Sequence, residues 1–128
     1  MKIYTSYFAN GKNIDESIIQ ISIARWSPKW FEGARMVQLA PSSKTLQLFK
    51  DRIINKEEYK DRYMQKLHKF FSNPQEVFNC LRTQWDDKDV ALLCYEKSGD
   101  FCHRHILAKW LSKGLGIEIE EITNKGPE

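Results

Sequence analysis

No stretch of the 128-residue chain approaches the roughly 18–20 consecutive apolar residues that a membrane-spanning helix needs, so no membrane partner is expected. Cysteine is scarce and odd in number, at Cys80, Cys94 and Cys102. That excludes a disulfide-stapled scaffold and makes reduced thiols the expectation. Charge of one sign is nearly matched by the other: 20 Lys plus Arg against 17 Asp plus Glu leave +3, too little to hold a polyanion by field alone. Lys44, Lys50, Arg52, Lys56 and Lys60 are interrupted by Asp51, Glu57, Glu58 and Asp61, as on a solvated helix face. Nucleic acid is therefore disfavoured as a partner. There is no internal repeat or low-complexity tract, and Met1-Lys2-Ile3-Tyr4-Thr5 enters strand-like sequence without a signal-peptide core. A cytoplasmic location is expected.

What is present suffices for one core: 41% of residues are hydrophobic, and at this length two separate cores would each be marginal. The reading is a single domain over residues 1–123 with a frayed tail at 124–128. Residues 3–8 and 18–24 read as strands, the second through Ile19, Ile21 and Ile23 alternating with Gln20 and Ser22. A short extended piece is expected at 36–39. Three helices follow: one capped by Ser42 or Ser43, one over about 56–71 carrying Tyr59, Tyr63, Leu67 and Phe70 along one side, and one opened by Asn73-Pro74. Val90-Ala91-Leu92-Leu93-Cys94-Tyr95 is a continuous apolar run, the expectation for a central strand covered on both faces. A helix over 101–113 with Asp100 as cap, closed by Gly114 and Gly116, and a last strand over 117–122 complete the pattern. Strand, helix and strand in that order predict a parallel crossover. The fold expected is a Rossmann-like α/β domain in three layers, with a small, mainly parallel sheet of about 4–5 strands flanked by helices.

In such sheets ligands bind beyond the carboxyl ends of the strands, where helix N-termini favour anions. Residues 96–104 occupy that place. At about 100° per residue, His103 shares a stripe with Ile106, Leu107, Trp110 and Leu111 and is expected to face the sheet, with His105 on the opposite side. Arg104 is the leading candidate for gripping phosphate or carboxylate, Glu96 being its alternative salt-bridge partner. Glu96 and His103 are candidates for acid or base, and Cys102, near the start of the helix, for nucleophile. Ser98 in the intervening loop, Arg25 and Trp26 complete the ligand-binding set, because Arg25-Trp26-Ser27-Pro28-Lys29-Trp30 follows the second strand and pairs a cation with flat aromatic faces. The bland alternative is that these tryptophans plug the core. No metal site is expected, since His103 and His105 are about 200° apart on the helix, and no cofactor is implied.

Leu92-Leu93-Cys94-Tyr95-Glu96 followed by Cys102-His103-Arg104 resembles the signature of the domain of unknown function 488 family. Arg25-Trp26-x-Pro28, Leu39-Ala40-Pro41-Ser42 and Arg62-Tyr63 ahead of Leu67 are similar to its YeaO-like branch. The resemblance implies a compact α/β fold and a shared site around Glu96, Cys102, His103 and Arg104, but no reaction. The expected function is binding of a phosphate-bearing or nucleotide-like anion, with hydrolase or transferase activity on it. The alternative is a non-catalytic nucleotide-sensing or protein-interaction module. A homodimer is left open.

Overall fold

The computed structural model describes residues 1–96 and 100–123. Among them, β1 (Ile3–Tyr7), β2 (Ile19–Ser22), β3 (Ala34–Arg35), β4 (Val90–Cys94) and β5 (Glu120–Glu121) form one sheet in the order β3-β2-β4-β1-β5, every pair parallel. The α-helices are α1 (Ser43–Lys50), α2 (Lys56–Phe70), α3 (Pro74–Gln84) and α4 (His103–Leu115). β4 lies between β2 and β1 and all five of its residues are buried, which accounts for its unbroken apolar run. The architecture is the α/β domain that the alternation of elements predicts.

The two faces of the sheet are covered differently. Ile3, Ile21, Val90 and Leu92 meet Tyr63 and Leu67 of α2, Val77 and Leu81 of α3, and Leu107 and Leu111 of α4. On the other face Ala91 and Leu93 pack with Phe8, Ile14 and Phe31. That third layer is built from a 3-10 helix, Phe8–Asn13, and loop residues rather than from an α-helix.

Caps follow the predicted chemistry at Ser42 and Asn73, and a further cap forms at Asn55. Ser42 Oγ accepts from Thr45 N at 3.1 Å, Asn55 forms a capping box with Glu58, and Asn73 Oδ1 accepts from Glu76 N at 3.0 Å ahead of Pro74. Elsewhere local expectation gives way to tertiary bonds. The extended piece expected at 36–39 is displaced to Ala34–Arg35, and Val37–Leu39 turns as a 3-10 helix. The cause lies in α2: Tyr63 Oη donates to Leu39 O at 2.6 Å, and Lys66 Nζ donates to Val37 O at 3.1 Å and Ala40 O at 2.6 Å. Those carbonyls therefore point at a helix and not at a neighbouring strand. α4 begins two residues later than expected, because the Cys102 sulfur, not Asp100, accepts the first free N–H, from Arg104 at 3.4 Å.

Gly116 ends α4 in the left-handed region at φ 65°, whereas Gly114 lies inside the helix. There α4 passes directly over Pro74, and a Cβ on Gly114 would collide with the proline ring. β5 has only two residue pairs with β1 and is secured by side chains: Ser6 Oγ donates to Ile122 O at 2.6 Å and Asn10 Nδ2 to the same carbonyl at 2.9 Å. No helix among the described residues is long and apolar enough to cross a membrane.

Gly114→Ala tests the close approach of α3 and α4. Alanine favours an isolated helix by about 1 kcal/mol over glycine, yet overpacking against Pro74 is expected to give a net loss of about 1–2 kcal/mol in urea denaturation. Combining it with Pro74→Ala should recover part of that loss.

Candidate functional site

The carboxyl ends of β2 and β4 open onto a cavity of about 330 Å³. Ala24, Arg25 and Trp26 enter it from the turn after β2, Cys94, Tyr95 and Glu96 from the end of β4, and His103 from the start of α4, with Pro41, Leu46 and Tyr59 as the far wall. The turn after β2 is folded back by Ser27 Oγ, which donates to the buried Ser22 Oγ at 2.7 Å. It leaves the Trp26 ring 58% exposed, with the Arg25 guanidinium 5.2 Å from its centroid. Trp26 is thus no core plug. It also borders a second hollow of about 530 Å³ lined by Lys44 and Lys50. Trp30 is equally exposed but faces another hollow beside Phe31 and Gly33, away from Glu96 and His103.

Arg104 differs most from its sequence expectation. Its side chain has no exposed surface and lies behind the cavity wall rather than opening onto it. Nε and Nη2 donate to Glu121 Oε1 and Oε2 at 2.8 and 3.1 Å, and Nη1 donates to Glu96 O and Cys94 Sγ, each at 2.8 Å. Nη2 also lies 3.5 Å from His105 Nε2. A guanidinium has five donors, and these contacts engage them within the protein. The physical reason for the correction is the late start of α4: with Cys102 as cap, residue 104 sits in the first turn facing β5. The acid it pairs with is Glu121, while Glu96 contributes its backbone carbonyl and keeps an exposed carboxylate at the cavity.

His103 faces the sheet, as its place on the helix predicts, and is 5% exposed. Its Nε2 lies 2.7 Å from Ile23 O. A carbonyl only accepts, so Nε2 carries the proton and Nδ1 keeps its lone pair, 3.7 Å from Cys102 Sγ. Burial pulls its pKa down to about 4, with the Arg104 charge adding to that and the Ile23 bond opposing it. The ring is neutral near pH 7. Against the expectation of three reduced thiols, Cys94 Sγ and Cys102 Sγ are in bonding contact, and Cys80 is free. They meet because the end of β4 and the cap of α4 converge on Arg104. The Tyr59 hydroxyl is driven well above its usual pKa by burial first and by the Glu96 charge second. Ser98 lies outside the described residues.

A family model described as DUF488-N3a, an active DUF488-N3 subclade, matches residues 5–115. The chain belongs to the DUF488 family. No curated protein and no solved structure matches it. The motifs that carry the DUF488 resemblance have physical tasks here. Tyr63 and Lys66 hold the Leu39-Ala40-Pro41-Ser42 turn against the cavity, Arg25-Trp26 forms its mouth, and Cys94 and His103 form its floor with Cys102 in contact behind them. The parts that Glu121, Ser22, Ser27 and Tyr59 play at the site escaped the sequence reading. Glu121 lies beyond the matched DUF488 span, among several acids near the chain's end, and only the pairing of β5 with β1 carries it to Arg104.

The roles of the two arginines separate in stability. Glu121→Gln leaves a buried cation short of its counter-charge and should cost about 3 kcal/mol, whereas Arg25→Ala should change urea stability by less than about 0.5 kcal/mol.

Proposed function

We propose that this protein binds a small nucleotide-like anion in the cavity beyond β2 and β4 and acts on it as a hydrolase or transferase, with Glu96 moving the proton. The observation that carries the reading is the pairing of Arg25 with the exposed Trp26 ring at the mouth of the cavity. Arg25 has no ion-pair partner among the described residues, in contrast to Arg104. A flat ring stacks on the indole, and the cation beside it takes a negative group without first breaking an internal salt bridge. The cavity's volume is at the low end of the range of about 300–1,000 Å³ for small-molecule sites, which suits a mononucleotide. Lys44 and Lys50 on the other side of Trp26 extend the positive surface for a longer phosphate tail.

Glu96 is the cavity residue best placed for proton transfer. Its backbone is fixed through the Arg104 bond to its carbonyl, while its carboxylate stays accessible. His103 spends one nitrogen on Ile23 and turns the other toward the sulfurs, so its part is to shape the floor.

Titration with nucleoside mono- and triphosphates, read by tryptophan fluorescence and calorimetry, tests the proposal. Saturable quenching is expected, weakened at least roughly tenfold by Arg25→Ala, the effect of losing one charged hydrogen bond. Glu96→Gln should retain binding and abolish turnover. Binding without turnover in the parent chain selects the nucleotide-sensing alternative, and no binding by either method overturns the ligand class.

A further inference from the structure

We propose that Cys94 Sγ, Cys102 Sγ and His103 Nδ1 form a zinc site whose fourth position faces the cavity. The three side chains are buried, and their donor atoms lie within 4.8 Å of one another. Sequence spacing misses this group because it directs attention to His105, whose ring instead meets Arg104 and Glu121. The third donor comes from the end of β4, brought alongside the start of α4 by the fold.

Four features fit a metal. First, the donor set is two soft sulfurs and an imidazole, which selects zinc over magnesium or calcium. Second, the tautomer of His103 is already set: Nε2–H donates to Ile23 O at 2.7 Å, the backbone-carbonyl contact that orients metal-bound histidines and leaves Nδ1 free to ligate. Third, each sulfur has a donor that favours its thiolate: Arg104 Nη1 at 2.8 Å from Cys94, and the Arg104 backbone N–H at 3.4 Å from Cys102, at the positive end of a 13-residue helix. Fourth, the Cα atoms of Cys94 and Cys102 are 7.7 Å apart. Disulfides generally span about 4.4–6.8 Å, whereas two thiolates each about 2.3 Å from one tetrahedral ion bridge a wider gap.

The charges also balance. Where Cys94 and Cys102 are joined, a thiol reductant first supplies two electrons and two protons to give two thiols; Zn²⁺ then displaces those protons to solvent and is neutralised by the two thiolates, and Arg104 is neutralised by Glu121. No net charge is left buried. Cys94 and His103 both line the cavity, which gives the ion an entry path and leaves its fourth position open, as in zinc sites that hold a water or a substrate. The site does not depend on the cavity's ligand being a nucleotide.

The test uses the whole chain, purified in reductant without chelator, and reads zinc content and intact mass under native conditions. One zinc per chain is expected. Replacing it with Co²⁺ should give thiolate-to-cobalt charge-transfer bands and the visible bands of a four-coordinate ion, a readout on the parent chain that needs no variant. Cys94→Ser and Cys102→Ser should each weaken zinc binding by roughly a hundredfold or more, and Cys80→Ser should leave it unchanged. A folded, reduced chain that takes up neither zinc nor cobalt overturns the proposal. So does a chain lighter by two hydrogen atoms with Cys94 and Cys102 linked after that purification, which would make the pair a disulfide.

Discussion

A guanidinium with no exposed surface obliges the fold to supply an acceptor for every N–H it carries, and Arg104 imposes that obligation on three elements at once. The end of β4 answers with the Glu96 carbonyl and the Cys94 sulfur, β5 with the Glu121 carboxylate, and α4 with His105. Losing an acceptor would strand charge in a medium that solvates it poorly. The interaction fixes the loop-to-helix junction from behind, and so sets the wall on which Glu96, Cys94 and His103 are displayed.

Two arginines that look alike in the sequence therefore sit in opposite surroundings. Arg104 is saturated and immobile, a strut whose charge never reaches solvent. Arg25 stands half-exposed against an open indole with its charge uncompensated. Helix N-termini and strand ends attract anions on general grounds, but the direction in which each side chain leaves its backbone decides which cation is available to a ligand.

Much of the fold was legible because it rests on period and cap chemistry. The Tyr59, Tyr63 and Leu67 stripe, Asn73-Pro74 and the apolar β4 run each specify an element within a few residues. The turn at 37–39 and the start of α4 were not legible: the first depends on partners far away in sequence, Tyr63 and Lys66, and the second on a sulfur cap at Cys102 where Asp100 offers the usual capping side chain. At the site, the inward face of His103 followed from helical geometry. The union of Cys94 with Cys102 did not, since it needs the path of the loop between β4 and α4, and the capture of Arg104 by Glu121 did not, since it needs the order of strands in the sheet and not the order of residues in the chain.

β1 lies between β4 and β5, so the first strand of the chain receives both of its neighbours only from the last third of the sequence. Thr5, Ser6 and Asn10 bond to residues 121 and 122, across nearly the full length of the polypeptide. During synthesis β1 must therefore wait for residues 90–94 and 120–121 to leave the ribosome, and until residue 121 emerges the cation on α4 lacks its carboxylate partner. A chain ending before β5 leaves the outer side of β1 unpaired and the Arg104 charge without its carboxylate.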